Sequence, residues 1–362
     1  MNILYLNNSV HLGGDTKCIL KLCREFKDNN NLFIASCGGA LQNEFEKIGV
    51  KHFTIKNVVD KNPYVILNNV YKLIKIVKKY EIDVIHSHHR MATLIAKIVR
   101  RFTGVGVIHT QHLCINDKLK LTKLALSSVK IITVSEAAKD ILVQKSGLNK
   151  GNIVTIYNTI ETETENNKID EKLLKLKEND YFIVAQVSRV IDYKGIYDFL
   201  DIANETFKEN KNIRFVFIGD GPEFNKMNRC IKDRNMEDIV YLLGNKDNVI
   251  EHLKYIDLFI LCSYIEGLPL SPIEAFSQGI PVIATNIDGT NEEIINGENG
   301  FLVDVKNIME FKEKIVYLYE NMEVLGRLKK GAYKIYQEKF NANIYKEKHL
   351  NLYKEITTKE IK

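Results

Sequence analysis

The sequence predicts an α/β protein built from two tandem Rossmann-like, doubly wound domains. Apolar runs of strand length alternate with helical patterns along the whole chain of 362 residues, and a polar stretch at residues 161–172 divides them into two halves. Strands that alternate with helices form parallel sheets with helices on both faces. A chain of this length exceeds one ordinary hydrophobic core, so two domains are expected.

The first half contains six apolar runs that predict strands, at residues 2–6, 32–36, 84–86, 105–110, 130–134 and 153–156. Helical patterns such as residues 16–26 and 65–79 lie between them. The second half repeats this order, with predicted strands at residues 182–187, 214–218, 240–243, 258–261, 281–284 and 301–303.

The expected domain boundaries follow from this order. Domain one spans residues 1–160 plus a final helical stretch at about 341–362, which we expect to pack back onto it, and domain two spans residues 165–340. Ligands of such sheets bind beyond the carboxyl ends of the strands, and a cleft between two domains is the usual active site.

Composition and missing motifs exclude several classes of protein. The six cysteines are scattered without a C-x-x-C pair, which indicates reduced thiols in a cytosol rather than disulfides or zinc. No signal-peptide pattern and no run of membrane-spanning length is present, so we expect a cytoplasmic chain. The sequence also lacks a G-x-G-x-x-G after the first strand, a P-loop, a nucleophile elbow and a basic-aromatic stretch. We therefore expect no cofactor, no metal and no nucleic-acid partner.

The net charge of +5 is unevenly distributed. Residues 1–160 carry an excess of 12 positive charges, whereas residues 161–362 carry an excess of 7 negative charges. This asymmetry indicates that the first half faces something anionic.

The most informative segment, residues 263–284, follows an apolar strand. It begins with a loop rich in glycine and proline and continues into a helix. Pro272 suits the first helical position, so the backbone N–H groups of Leu268, Leu270 and the helix start are candidates to bind a pyrophosphate. Glu266 and Glu274 are carboxylates at a spacing that suits two sugars, one of them a ribose. Two other interpretations stay open: Ser271 and Glu274 fit a capping box, and Glu266 fits a solvated loop acid.

Two other loops of the sequence follow predicted strands. Arg189 and Lys194 come after the strand at residues 182–187, where two cations would neutralise a diphosphate. Gly13 and Gly14 follow the first strand, where glycines permit close approach of the backbone to a ligand, or simply a strand-to-helix turn.

Two groups of histidines, at residues 86–89 and 109–112, also follow apolar strands. Four histidines invite a metal interpretation, but no carboxylate or cysteine completes a set in the sequence. His86 and His109 lie in or at strands and fit a structural role.

Several of these segments, in the same order, resemble the signature of retaining GT-B glycosyltransferases of family four. The resemblance rests on Glu266-x7-Glu274 with Gly267, on residues 281–303, on Arg189 with Lys194-Gly195, and on residues 218–223, and it extends over nearly the whole chain. It implies a GT-B fold, in which Glu274 binds the nucleotide ribose and Glu266 the transferred sugar.

The same resemblance implies roles for the remaining candidates. Gly13 and Gly14 would lie at the donor diphosphate, Gly219 in a strand-end turn at the donor, and His112 at the donor sugar. His88 and His89 would line the acceptor side.

These observations predict transfer of a sugar from a nucleoside-diphosphate sugar, with UDP as the expected nucleotide, to a hydroxyl acceptor. Retention is implied by the resemblance alone. No metal is expected to be required, because Arg189, Lys194 and the helix N-terminus can stabilise the diphosphate. The acceptor is expected in surface polysaccharide or glycolipid synthesis, and the donor sugar and acceptor stay open. A nucleotide-sugar epimerase of the same fold and a non-catalytic sugar-nucleotide binder are the alternatives.

Basic residues of the first half suggest where the acceptor comes from. They lie in helical or loop-to-helix stretches, namely Lys72, Lys75, Lys78, Lys79, Lys97, Arg100, Arg101, Lys118, Lys120 and Lys123. They fit either solvated helix faces or attraction to an anionic inner leaflet that carries a lipid-linked acceptor.

Overall fold

The computed structural model describes residues 1–11, 13–112, 117–160 and 168–359, and it divides into two compact units. Unit 1 comprises Met1–Asn158 with Asn343–Lys362, and unit 2 comprises Thr159–Ala342. Each unit contains its own parallel sheet with helices, as the alternating pattern predicts.

The sheet of unit 1 has seven strands in the order β3-β2-β1-β4-β5-β6-β7. They are β1 (Asn2–Leu6), β2 (Asn31–Ser36), β3 (Lys51–Thr54), β4 (Val84–Ser87), β5 (Gly106–Gln111), β6 (Lys130–Thr133) and β7 (Ile153–Thr155). Six of them match the predicted strands to within one residue. The prediction missed β3 because its sequence contains no apolar run. β3 is an edge strand, and none of its residues is fully buried.

The helices of unit 1 that precede β7 are α1 (Gly14–Phe26), α2 (Gln42–Lys47), α3 (Pro63–Lys79), α4 (Arg90–Thr103), α5 (Leu119–Leu126) and α6 (Glu136–Asp140). Short 3-10 turns lie at Lys27–Asn29 and Lys150–Asn152, and a π turn at Ile141–Lys145 follows α6. The start of α3 is fixed by Asn62, whose side chain accepts from the Tyr64 N–H, and by Pro63 at the first helical position.

The sheet of unit 2 has six strands in the order β10-β9-β8-β11-β12-β13. They are β8 (Phe182–Val187), β9 (Ile213–Ile218), β10 (Val240–Gly244), β11 (Leu258–Leu261), β12 (Val282–Thr285) and β13 (Gly300–Val303), and all six match the prediction to within one residue. Phe199 packs edge-on against Phe215 and Phe217 in its core, with ring centroids 5.7 and 5.3 Å apart.

The helices of unit 2 are α7 (Glu171–Glu178), α8 (Ile196–Glu209), α9 (Phe224–Asp233), α10 (Val249–Leu253), α11 (Leu270–Ser277), α12 (Thr290–Glu293), α13 (Ile308–Glu320) and α14 (Met322–Ile335). A 3-10 turn at Asp192–Lys194 precedes α8, and a π turn at Tyr336–Phe340 follows α14.

The last helix, α15 (Ala342–Lys359), joins the core of unit 1. Tyr345, His349 and Tyr353 are almost fully buried. The Tyr353 ring packs edge-on against Phe26 of α1 at 5.6 Å between centroids. Within the described ranges, no helix combines the length and apolar character that a membrane span requires.

Candidate functional site

In unit 2, the loops after β8 and β11 are tied together by one buried side chain. The Gln186 amide donates to the carbonyl oxygen of Lys194 at 2.8 Å, and its own oxygen accepts the Cys262 N–H at 3.3 Å. The Tyr264 N–H also donates to the Tyr193 carbonyl at 2.8 Å. Since β8 and β11 are neighbours in the sheet, these bonds fix the two loops side by side at the carboxyl ends of the strands.

Two of the predicted site residues meet at the carboxyl ends of these strands. The Lys194 Nζ lies 2.6 Å from Oε1 of Glu266, with side chains 18% and 8% exposed. Glu266 is therefore not a solvated loop acid, and that alternative is wrong. An ion pair this well covered is screened little by solvent, so each partner depends on the other for its charge compensation.

Close backbone contacts explain two of the glycines. Gly195 has φ +66°, and a Cβ there would lie 1.9 Å from the Cys262 carbonyl oxygen. Gly219 has φ +147°, and its Cβ would lie 1.9 Å from the carbonyl oxygen of Ser188. Any larger residue would push these loops apart.

Arg189 supplies a second cation in the β8 loop. Its side chain is exposed, and it has no hydrogen-bond or ion-pair partner among the residues that the structure describes. It is thus available to an external anion, whereas Lys194 is already paired with Glu266.

The start of α11 differs from the prediction. The helix begins at Leu270 after Pro269, so Pro272 is its third residue and not its first. Ser271 therefore lies inside the helix and does not cap it, and the capping-box interpretation of Glu274 is wrong. Pro269 takes the N-cap position, with the extended backbone that commonly precedes a helix.

This start leaves hydrogen-bond donors unused. The N–H groups of Leu268 and Leu270 donate to no protein acceptor in the described part of the chain, as is usual for the first turn of a helix. Gly267 precedes them, and Glu274 is half-buried on the second turn of α11. The arrangement offers backbone donors to an anion.

A further acid, Glu293 at the end of α12, was not among the predicted site residues. It is fully buried, and neither carboxyl oxygen has a hydrogen-bond partner in the described residues. Burial, reinforced by the nearby charge of Glu266, raises the pKa of Glu293 well above its usual range and favours the neutral carboxyl group. The loop before α12 packs on the Glu266 loop, since a Cβ on Gly289 would lie 2.6 Å from the Gly267 carbonyl oxygen.

In unit 1, the structure brings together His88 at the end of β4 and His112 after β5. Nδ1 of His88 lies 2.9 Å from Nε2 of His112, and the rings stack at 5.1 Å between centroids. Burial lowers the pKa of His112 to about 4 and that of His88 well below its usual range. Both imidazoles are therefore neutral at physiological pH, and the buried Nε2 of His88 has no partner among the described residues.

The other histidines have structural contacts. His86 bonds Tyr353 and Thr110 through its two ring nitrogens, each at 2.7 Å. His109 is bonded likewise, to Thr93 and Gln111, so both histidines have the structural contacts expected of them. His89, predicted on the acceptor side, caps α4 by accepting the Met91 N–H at 3.2 Å.

The first loop of unit 1 places Gly13 and Gly14 at the start of α1. Gly13 is extended, and Gly14 has open space where a Cβ would stand. Neither has positive φ, so the backbone itself does not require glycine here. Asp15, the next residue, accepts from the Asn7 amide at 2.9 Å.

One group of metal-ligating side chains appears among the described residues, although the sequence predicted none. The ligand atoms of Cys18, His88 and His112 all lie within 4.8 Å of one another. The three come from separate segments of the chain, so no spacing in the sequence announces them.

Comparison with known families accounts for most of the chain. Residues 12–164 match the family described as Glycosyltransferase Family 4, and residues 167–335 match Glycosyl transferases group 1. The two matches leave only residues 1–11, 165–166 and 336–362 uncovered.

Similar proteins include bacterial glycosyltransferases named for acceptors linked to diphospho-undecaprenol. An Escherichia coli UDP-Gal:alpha-D-GlcNAc-diphosphoundecaprenol alpha-1,3-galactosyltransferase is 28% identical over 286 residues, covering 74% of this chain and 73% of that protein. A Campylobacter jejuni N,N'-diacetylbacillosaminyl-diphospho-undecaprenol alpha-1,3-N-acetylgalactosaminyltransferase is 28% identical over 316 residues, covering 81% and 82%. Among solved structures, Anabaena Alr3699/HepE in complex with UDP has a TM-score of 0.83 at 19% identity, covering 97% of this chain and 99% of that one.

Proposed function

The chain belongs to the family-four glycosyltransferases with the GT-B fold, and from this premise we propose that it transfers a sugar from a UDP-sugar to a hydroxyl group of a lipid-linked acceptor, with retention at the anomeric carbon. UDP-galactose and UDP-N-acetylgalactosamine are the first donors to test, because the first is named for the E. coli relative and the second sugar for the C. jejuni relative.

The observation that carries this proposal is the covered pair of Lys194 and Glu266 beside the unused amides of Leu268 and Leu270. Glu266 has a carboxylate for paired sugar hydroxyls, and the amides with Lys194 and Arg189 suit a diphosphate. Charge that develops on the leaving diphosphate would be stabilised by donors that are already in position.

The proposed step breaks the bond between the anomeric carbon and the diphosphate oxygen and forms a bond to the acceptor oxygen on the same face. The acceptor proton passes to the departing phosphate, so the step needs neither a protein nucleophile nor a further cofactor or metal. The neutral ring of His112 suits a hydrogen bond to a donor-sugar hydroxyl. Gly13 and Gly14 would let the backbone approach the donor, and Gly219 would serve the strand-end turn after β9.

Two substitutions separate the roles of the two acids. Glu274→Ala should weaken the binding of UDP itself, because the ribose loses its acceptor, whereas Glu266→Ala should mainly reduce turnover. Glu313→Ala, on the exposed face of α13, is the control for loss of a helical glutamate. Calorimetric titration with UDP and GDP decides, and unchanged UDP affinity of Glu274→Ala would contradict the ribose role.

The histidines offer a second test of the donor site. His112→Ala should strongly lower transfer and leave the fold intact. His109→Ala should act on stability instead, since it breaks buried bonds to Thr93 and Gln111. Near-wild-type activity in both variants would contradict the donor-sugar role of His112. It would also remove the support for placing its neighbour His88 on the acceptor side.

The acceptor side is proposed to face an anionic membrane through α3. Three exposed apolar side chains, Tyr64, Leu67 and Tyr71, share one face of this helix with Lys75, and Lys72 flanks it. The Lys75 Nζ lies 4.4 Å from the Tyr71 ring centroid. An apolar stripe with adjoining lysines suits the interface of an anionic leaflet, where each basic residue contributes about 1 kcal/mol. We therefore propose a cytoplasmic protein that attaches peripherally to the inner face of the plasma membrane.

Sedimentation with vesicles tests this surface. The protein should sediment with anionic liposomes at low salt, ignore neutral ones and be released at high salt, because the Debye length shortens. Replacing Lys72, Lys75 and Lys79 by Glu should abolish sedimentation and preserve activity on a short soluble acceptor. The matched control makes the same charge change on α14 of unit 2, at three exposed basic residues: Arg327, Lys330 and Lys334. Wild-type protein that stays in the supernatant at low salt contradicts the membrane proposal.

A further inference from the structure

Three side chains with sulfur or nitrogen ligand atoms converge in unit 1. Cys18 lies on α1, His88 comes directly after β4, and His112 comes directly after β5. Their ligand atoms lie within 4.8 Å of one another. Tetrahedral zinc with its usual bond lengths places nitrogen and sulfur ligands about 3.3–3.6 Å apart. The group thus stands within about 1.5 Å of that spacing before any metal enters.

The chemistry of the group favours one class of metal ion. A thiol and two imidazoles are ligands for Zn²⁺ and similar borderline ions, whereas Mg²⁺ and Ca²⁺ prefer oxygen. Each neutral imidazole offers one ring nitrogen to a metal, and the facing nitrogens of His88 and His112 would exchange their mutual hydrogen bond for bonds to the ion. The carboxylate of Asp15, on the same helix as Cys18, interacts electrostatically with Cys18 and His112.

The surroundings also suit a bound metal. The hydroxyl group of Tyr345 lies 3.2 Å from the Cys18 sulfur, where it would donate to a metal-bound thiolate. The His88–His112 pair leaves the buried Nε2 of His88 without a protein partner, so one nitrogen of the pair is unused in the described structure.

We propose that Cys18, His88 and His112 form a binding site for Zn²⁺, and that zinc bound there inhibits sugar transfer by occupying the His112 ring. Water completes the four ligands, and the Cys18 thiol releases its proton to solvent as the sulfur–zinc bond forms. The inhibitory part rests on the donor-sugar role proposed above for His112, whereas the binding part does not.

Binding is tested on the purified full chain with Co²⁺ as a spectroscopic probe. Wild-type protein should bind one Co²⁺ with a thiolate-to-cobalt charge-transfer band and tetrahedral d–d bands, and Zn²⁺ should displace it. Cys18→Ser should lose the charge-transfer band and bind Zn²⁺ at least tenfold more weakly. Cys37→Ser, at an exposed cysteine of the same unit, is the matched control and should keep both properties. Cys18→Ala replaces Cys18→Ser if serine destabilises the fold.

Inhibition is measured separately, as hydrolysis of UDP-galactose or UDP-N-acetylgalactosamine in the presence of Zn²⁺ or Mg²⁺. Micromolar Zn²⁺, but not Mg²⁺, should inhibit the wild type reversibly, and Cys18→Ser should keep basal activity while resisting inhibition at least tenfold. Identical cobalt spectra in wild type and Cys18→Ser would overturn the site itself. Spectra as expected without zinc inhibition would overturn only the inhibitory part and count against the role of His112. Absence of hydrolysis together with the expected spectra would count against the proposed donor alone.

Discussion

Replacing Gly195 by alanine tests the close approach of the β8 and β11 loops. A left-handed backbone costs about 1–2 kcal/mol for a residue with a Cβ, and Gly195 has φ +66°. The new methyl group would also stand 1.9 Å from the Cys262 carbonyl oxygen, inside van der Waals contact, and relieving such overpacking costs about 1–3 kcal/mol more. The sum predicts a loss of roughly 2–5 kcal/mol.

Gly244 supplies the matched control in the same unit. Its φ is +69°, almost the same, but a Cβ there would meet nothing within 4 Å. Gly244→Ala should therefore cost only the backbone part, about 1–2 kcal/mol, which reduced flexibility of the unfolded chain partly offsets.

Urea unfolding followed by far-ultraviolet circular dichroism measures both variants, since both changes lie in unit 2. Gly195→Ala should also lower sugar transfer. Gln186 holds the carbonyl of Lys194, the residue before Gly195, so a displaced loop would break this bond and move Lys194 away from Glu266. Equal midpoints for the two variants would refute the reasoning, since they would show that the contact with Cys262 costs nothing.

Three further predictions concern buried polar groups. Burial raises the pKa of Glu293 above its value in the unfolded chain, so the wild type loses stability as the pH rises above about 4.3, by up to about 1.4 kcal/mol per pH unit. Glu293→Gln has no such proton to lose and should be more stable than the wild type at pH 8. Urea midpoints of the two proteins that run parallel from pH 4 to 8 would contradict this. His109 has its pKa lowered to about 3 by burial, and His86 shifts in the same direction; unit 1 should therefore be fully stable above about pH 6.5 and lose stability as the pH falls below it, with hydrogen exchange in β4 and β5 accelerating before that in β8. Tyr353→Phe leaves the buried Nδ1 of His86 without its partner and should cost about 1–3 kcal/mol in thermal or urea unfolding, whereas Tyr333→Phe on an exposed ring should be neutral, and equal losses would argue against the bond.

The strands were predictable because a parallel sheet buries both faces of each strand. The runs at residues 182–187 and 258–261 became β8 and β11 without change at either end. The edge strand β3 escaped because Lys51-His-Phe-Thr carries only one large apolar residue, and its burial depends on neighbours distant in sequence. The predicted start of α11 is wrong because Pro272 suits the first helical position, whereas Pro269 takes the N-cap position.

The candidate site was predictable only in part, for a related reason. The sequence shows which loops follow strands, and it therefore indicates Lys194 and Glu266 but not the contact between them. The sequence does not indicate Glu293, because its sequence neighbours do not show that it is fully buried near Glu266. The approach of Cys18 to His112 likewise depends on how α1 packs near the end of β5, and no local pattern encodes such packing.

The placement of α15 has a consequence for synthesis on the ribosome. One hydrophobic cluster of unit 1 includes Tyr353, so that cluster stays incomplete until this residue has been synthesised, nearly two hundred residues after β7. The cluster that includes Leu4, Val107 and Ile153 contains no residue of α15. Unit 2 is continuous in sequence and is synthesised entirely within that interval. Unit 2 is thus free to fold first, as an inserted domain, while the apolar face that α15 covers waits for its last helix. Nascent chains arrested before Tyr353 should expose this face to chaperones and proteases, and removal of α15 should have the same effect.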